Sequence, residues 1–194
     1  MNRVSNIERQ TSETSIKLRL NLDGSGSFEG STGLGFFDHM LSHIARHGML
    51  DLAITAKGDL HVDEHHTVED SGICLGKAIS EALGEKRGIE RFGAGFVAMD
   101  EALARTVIDL SGRSMLVFNA TFSRELINGF PLELVKEFFR AVSTEGKMNL
   151  HIALLYGDNA HHQVEAIFKS FARALRQAVS RSGRNEIPST KGML

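Results

Sequence analysis

The pattern His65-His66-x-x-Glu69 returns half a chain later as His161-His162-x-x-Glu165. A repeat this specific in a chain of 194 residues predicts two copies of one folding unit, each presenting the same side chains. On a helix, residues four apart share a face, so His65 and Glu69 are able to hold one ion. His66, rotated by about 100° from its neighbour, is free to serve another. The same holds for His161, Glu165 and His162. Imidazole and carboxylate without thiolate suit Mn, Fe, Zn or Ni. A polar helix start at an ordinary surface is the plainer reading of one copy; two copies at matched positions favour metal.

The rest of the chain falls into two parallel halves, 1–92 and 93–194. Ile16, Leu18, Leu20 and Leu22 alternate with polar residues as a half-buried strand does. Asp23-Gly24 reads as a hairpin turn, followed by a short Gly/Ser-rich strand and loop up to Gly35. A helix is expected over 36–47 with Gly48 as its stop, then a strand over 50–54 and a helix over 67–83. The second half repeats the order: strand 106–110, a Ser111-Gly112 turn, strand 115–122, helix 132–143, strand 149–156, and a helix from the second doublet to about Ser180. Asn21-Leu22-Asp23-Gly24 aligns with Asp109-Leu110-Ser111-Gly112, and Lys77-Ala78 with Arg173-Ala174. The fold class is therefore α+β, two half-repeats forming one compact unit, each a sheet with two helices.

The alignment sets His39 opposite Glu137, one on the first helix of each half. The predicted ligand set is His39, His65, His66, Glu69, Glu137, His161, His162 and Glu165. Its expected division is one ion on His65, Glu69, His162 and Glu137, and the other on His161, Glu165, His66 and His39. His43 and His47 continue the stripe from His39 at helical spacing, as ligands, supports or substrate contacts. His61 and His151 read as polar residues at strand edges.

Composition sets bounds. A net charge of −2 gives no pull towards nucleic acid or membrane surface. The apolar runs are too short for a bilayer span. The first residues lack the apolar stretch of a signal peptide, so a cytoplasmic protein is expected. The single cysteine, Cys74, reads as a small core residue.

Six stretches carry a resemblance to a known family: Arg9-x-Thr11-x-Glu13-Thr14, Phe36-Phe37-Asp38-His39-Met40-Leu41-x-His43, Asp63-x-His65-His66-Thr67-x-Glu69-Asp70, Asp109-Leu110-Ser111-Gly112-Arg113, His161-His162-x-x-Glu165 and Pro188-Ser189-Thr190-Lys191-Gly192. Together they resemble imidazoleglycerol-phosphate dehydratase, a family of histidine biosynthesis. The resemblance spans residues 9 to 192 and leaves no room for the phosphatase domain that some relatives carry. It implies a duplicated βαβ-type fold like that of a small-ribosomal-subunit protein. It also implies two Mn(II) ions per active site and a shell of twenty-four chains with the sites between subunits. The family often carries histidine at the position of Glu137; glutamate keeps an oxygen donor there.

The reaction so implied removes water from D-erythro-imidazole-glycerol phosphate to give imidazole-acetol phosphate. The hydrogen lost is not acidic, so the ring must be activated. Metals on its two nitrogens would favour the imidazolate, which expels the ring-adjacent hydroxyl; loss of a proton from the next carbon then gives an enol and, after tautomerisation, the ketone. Glu13 is the implied base, with His43 and His47 also implied as catalytic and Glu101 as its counterpart in the second half. Arg91, Arg113, Ser189, Thr190 and Lys191 are the implied phosphate contacts, arginine offering a two-pronged fork to phosphate oxygens. Lys169 joins the substrate contacts, with His39, His47, His65, Glu69 and His161. Two other readings stay open on the residues alone: a dinuclear hydrolase of phosphate esters, and a metal-organised shell without catalysis.

Overall fold

The computed structural model describes residues 3–194. Two four-stranded sheets form, β1 (Val4–Gln10), β2 (Thr14–Asn21), β3 (Phe28–Ser31) and β4 (Asp51–Gly58) in the first, and β5 (Phe92–Met99), β6 (Ala102–Asp109), β7 (Met115–Asn119) and β10 (Asn149–Tyr156) in the second. The spatial orders are β1-β2-β4-β3 and β5-β6-β10-β7. Helices α1 (Gly35–Gly48) and α2 (His65–Leu83) belong to the first repeat, and α3 (Glu133–Gly146) and α4 (Ala160–Val179) to the second. A small hairpin of β8 (Leu126–Ile127) and β9 (Phe130–Pro131) precedes α3.

The registers repeat as well as the order. Val4 pairs with Asn21 and Asn21 with Asp51; Phe92 pairs with Asp109 and Asp109 with Asn149. In each repeat the last strand runs parallel to the third and antiparallel to the second. The α+β duplication is thus present in topology and register.

Several local expectations change. Asp23-Gly24 does not close a hairpin, because β4 lies between β2 and β3. The segment instead wraps Asp51, whose Oδ1 accepts the Ser25 and Ser27 amides at 2.8 and 3.1 Å. Ser111-Gly112 is likewise no hairpin turn, since β10 separates β6 from β7. Gly48 is not the left-handed stop: it is the last helical residue, as Gly146 is in the second repeat, and Met49 (φ 52°) and Lys147 (φ 48°) take that conformation. Glycine at 48 answers packing, because a Cβ there would meet the Leu50 side chain at 3.1 Å. His61 lies in the turn after β4, and His151 sits within β10, a central strand, facing out.

Within the two large sheets, β1 and β5 had no sequence signal. In β1 the inward residues include Ser5 and Arg9, which hides the apolar alternation. In β5 the polarity is inverted: Gly93 and Gly95 face inward and Phe92 and Phe96 outward. A Cβ at Gly93 would stand 1.9 Å from the Ala174 carbonyl, and one at Gly95 2.2 Å from that of Ser170, so α4 packs directly on the strand backbone.

Each repeat's second helix packs on its own sheet, and the repeats join through α1 against α4 and α2 against α3. Small residues allow the closest approach; a Cβ at Gly72 would come within 2.7 Å of the Phe138 carbonyl. Phe37, Phe138, Phe139, Phe168 and Phe171 are fully buried between the sheets in one core drawn from both repeats. Removing such a ring costs about 3–5 kcal/mol.

Candidate metal centre and active site

Both doublets open helices, as their spacing requires. The Asn159 side chain caps α4 by accepting the His161 and His162 amides, and Asp63 accepts the His65 amide at 2.8 Å. The histidines thus start a rigid helix where a loop meets it.

The α1/α4 contact gathers the richest cluster. Glu165 is buried, and three ring Nε2 atoms converge on its Oε2: His161 at 3.1 Å, His43 at 3.2 Å and His39 at 3.3 Å. The His39 and His43 Nε2 atoms lie 3.2 Å apart, His47 stacks on His43, and Lys169 donates to the other carboxylate oxygen. Burial opposes the Glu165 charge, yet Lys169 and the histidines override it and hold the carboxyl at about 2. Burial pushes His43 down to about 4 against the pull of Glu165, so its ring is neutral at pH 7. Burial lowers His47 too, with Lys169 adding to it. Imidazole nitrogens around a carboxylate are a donor set that a divalent cation takes. His39, His43 and Glu165 offer ligand atoms within 4.8 Å of one another, so these residues fit such an ion.

The other predicted ligands stand elsewhere. His65 and Glu69 face each other at 3.7 Å, both partly exposed. His66 turns its Nδ1 to Asp59 at 3.1 Å and its Nε2 towards Glu13 at 3.8 Å. His162 turns its Nδ1 to Glu101 at 2.7 Å. Asp59 raises the His66 pKa and Glu101 that of His162, while His162 and the Asn159 amide hold Glu101 at about 2. Glu137 pairs with Arg140 at 2.8 Å. Within one chain, then, His39, His161 and Glu165 of one expected set come together, and the fourth member, His66, pairs instead with Asp59. Of the other set only His65 and Glu69 do.

The implied phosphate residues form a third locality at the far end of α4. Arg91 (φ 70°) donates to both Asp109 oxygens at 2.7 and 3.2 Å and to the Pro188 carbonyl at 2.8 Å, which anchors the C-terminal tail. Ser189 Oγ accepts the Lys191 amide at 3.2 Å; Thr190 and Lys191 are exposed. The tail ends over Gly112, where a Cβ would stand 2.7 Å from the Leu194 carbonyl carbon, beside exposed Arg113. Lys86, which sequence reasoning missed, is buried beneath this turn and donates to the Leu110 carbonyl at 3.1 Å. Burial lowers its pKa. Nothing in the local sequence distinguishes this lysine from a surface one. Asp59 also escaped notice, because its role depends on the loop before α2.

The family model for imidazoleglycerol-phosphate dehydratase matches residues 32–175. An imidazoleglycerol-phosphate dehydratase of Acidiphilium cryptum is 56% identical over 196 residues, covering 100% of both chains. One of Paracoccus denitrificans is 53% identical, over 99% of this chain and 100% of its own. The crystal structure of the Staphylococcus aureus enzyme superposes with a TM-score of 0.84 at 40% identity, over 92% of this chain and 99% of that one. That of the Pyrococcus furiosus protein in complex with (S)-C348 gives 0.85 at 37%, over 97% and 100%. With the duplicated fold and its paired histidine helices, these likenesses over the whole chain establish that it belongs to the imidazoleglycerol-phosphate dehydratase family.

Proposed function

We propose that this chain dehydrates imidazoleglycerol phosphate in histidine biosynthesis, at a centre of two divalent cations completed between subunits, with Glu13 as the base. Family membership carries the reaction. The residue roles rest on the observation that three imidazoles surround the buried Glu165 carboxylate at 3.1–3.3 Å. The ligands would be His39, His65, His66, Glu69, Glu137, His161, His162 and Glu165. Mn(II), when bound, supplies Lewis-acid stabilisation of the substrate's ring anion.

The chain's own residues do the rest. Helical placement keeps the ligand rings fixed before substrate arrives. Asp59 and Glu101 orient the second histidine of each doublet through Nδ1, leaving Nε2 as the coordinating nitrogen. Glu13 lies at the turn between β1 and β2 with an exposed side chain beside His66, suited to accept the proton from the side-chain carbon. The ring-adjacent C–O bond breaks with the ring's electrons, the hydroxyl takes up the proton the ring gives up and leaves as water, and the proton taken by Glu13 returns to the product as the enol becomes the ketone. Arg113, on the turn after β6, and Lys191, on the tail held by Arg91, are the exposed cations for phosphate.

Distance supports a site shared between chains. The Arg91 amide bonds the Ala178 carbonyl, which at ~1.5 Å per residue lies about 20 Å along α4 from Glu165. A ring, three carbons and a phosphate do not bridge that gap. The outer face of the second sheet, with Phe92, Phe96, Val107, Val117 and Leu155 exposed, supports self-association into the shell of twenty-four implied by the family. No described helix is long and apolar enough to cross a membrane. Cys74 is a buried free thiol, which supports a reducing compartment such as the cytoplasm.

Metal analysis with sizing by light scattering tests this reading. His65→Ala or His161→Ala should lower Mn(II) content and shrink the assembly together. Unchanged metal stoichiometry in both would remove the ligand assignment.

A further inference from the structure

The repeats share a backbone, so each tests what the other's side chains are for. Beneath the turn that carries Glu13 lies a buried polar network. The Thr14 hydroxyl donates to Asp70 Oδ2, and Arg9 Nη2 meets Asp70 Oδ1 at 2.9 Å. Thr11 Oγ1 accepts the Glu13 amide at 3.1 Å and the Thr14 amide at 2.9 Å, and stands 3.3 Å from Thr14 Oγ1. Arg9 Nε and Thr67 Oγ1 are buried without a partner, so the network is not fully satisfied.

At the matching positions the second repeat is apolar. By register and by the doublet alignment, Arg9, Thr11, Thr14 and Asp70 correspond to Val97, Met99, Ala102 and Ala166. The fold therefore forms without the charges. The Arg9–Asp70 pair is only half-buried, with the arginine side chain 31% exposed, and such a pair is often no more stabilising than well-packed apolar residues of similar volume, so the network needs a reason other than stability. The two turn glutamates differ in how tightly they are held: Glu101 is taken up by the Asp158 and Asn159 amides and by His162, whereas Glu13 faces the His66 Nε2 at the longer distance of 3.8 Å.

We propose that Asp70, gripped by Arg9 and Thr14, is a positioning residue for Glu13. It fixes Thr14, Thr14 and Thr11 fix the turn, and the turn sets the carboxylate. This rests on the reading of Glu13 as the base.

The test gives the first repeat the second's side chains, Arg9→Val with Thr14→Ala and Asp70→Ala together. A lone Asp70→Ala would strand Arg9 and is not the test. In the Mn(II)-loaded enzyme, kcat should fall about 100-fold, the scale of a misplaced catalytic group, with KM, metal content and assembly size retained. The triple change added to Glu13→Gln should cause no further loss. Asp70→Asn, which keeps the shape, should lower kcat in the same sense even where the triple variant fails to fold. Parent-like kcat in the triple variant, or in Asp70→Asn when that alone folds, overturns the inference. So does activity lost in step with metal, or an equal further loss in the Glu13→Gln background. If Glu13→Gln itself turns over normally, the base assignment fails instead; if Glu13→Gln is inactive while the triple variant is parent-like, only this inference fails.

Discussion

The two repeats solve the same problem with different residues. Each must hold the second histidine of its doublet by Nδ1. The first repeat uses Asp59, from the connection 59–64 between β4 and α2. In the second repeat the corresponding connection, 157–159, is shorter, and Glu101 from the β5–β6 turn does the holding. Glu101 and Glu13 occupy matching positions, so the longer first loop leaves Glu13 unspent. Two carboxylates stand at one backbone position; Glu101 is held by His162 and two amides, and Glu13 is the one that the proposed function takes as the base.

The largest expected effect breaks that pair apart. Glu13→Gln should lower kcat by about 10³-fold, within the range for loss of a general base, with metal and assembly intact. Glu101→Ala should instead weaken Mn(II) affinity by roughly 10–100-fold, as loss of a carboxylate behind a ligating histidine does, with kcat preserved at saturating Mn(II). Steady-state kinetics over a metal titration separates them, and equal effects on kcat would erase the distinction drawn here.

The outer sheet faces differ in the same spirit. Lys17, Arg19, Glu8 and Glu29 line the first, whereas the second exposes Phe96 and Val117. Phe96→Glu should dissociate the assembly in light scattering, and Lys17→Glu should leave it whole. An intact particle with Phe96→Glu would move the interface elsewhere.

A third contrast concerns the first carboxylates of the two motifs. Glu165 is buried among charged and polar partners; Glu69 is half exposed with one. In metal-free protein, Glu165→Ala should cost about 3 kcal/mol, the penalty for stranding a buried partner. Glu69→Ala should cost under ~1 kcal/mol. Chemical denaturation would measure both.

The last expected effect is a pH slope. His43 is held at about 4, below its ordinary 6.5, so the unfolded chain takes up the proton first. The His43 contribution to the stability of the metal-free protein should be full above about pH 6.5 and fall as pH drops towards 4, whereas His66 and His162, with raised values, contribute in the opposite direction. Glu165, at about 2 against an ordinary 4.5, extends the loss in the same direction below pH 4.5. His43→Gln should flatten the upper part of this slope in denaturation midpoints measured against pH.

Much of this was legible in the chain. The HHxxE pair announced the duplication, because helical spacing and ligand chemistry are both local. The strand at Thr14–Asn21 was visible because one face is apolar and the other polar. Strands β1 and β5 were not, since Arg9 is half-buried against a partner 61 residues on and Gly93 and Gly95 face a helix backbone. The division of ligands between ions was not legible either. Spacing says which residues share a helix face, but not which helix comes to meet it.

The sequence by itself determined the two matched units, their helix-borne histidines and the family to which the chain belongs, because each is written in spacing a few residues long. Only the tertiary structure decided that α1 meets α4, gathering His39 and His43 around Glu165, and that Glu101 is held by His162 and two amides while Glu13 faces the His66 ring at 3.8 Å. Those outcomes depend on contacts between residues far apart in the chain and on the length of a single loop, and no short-range pattern encodes either.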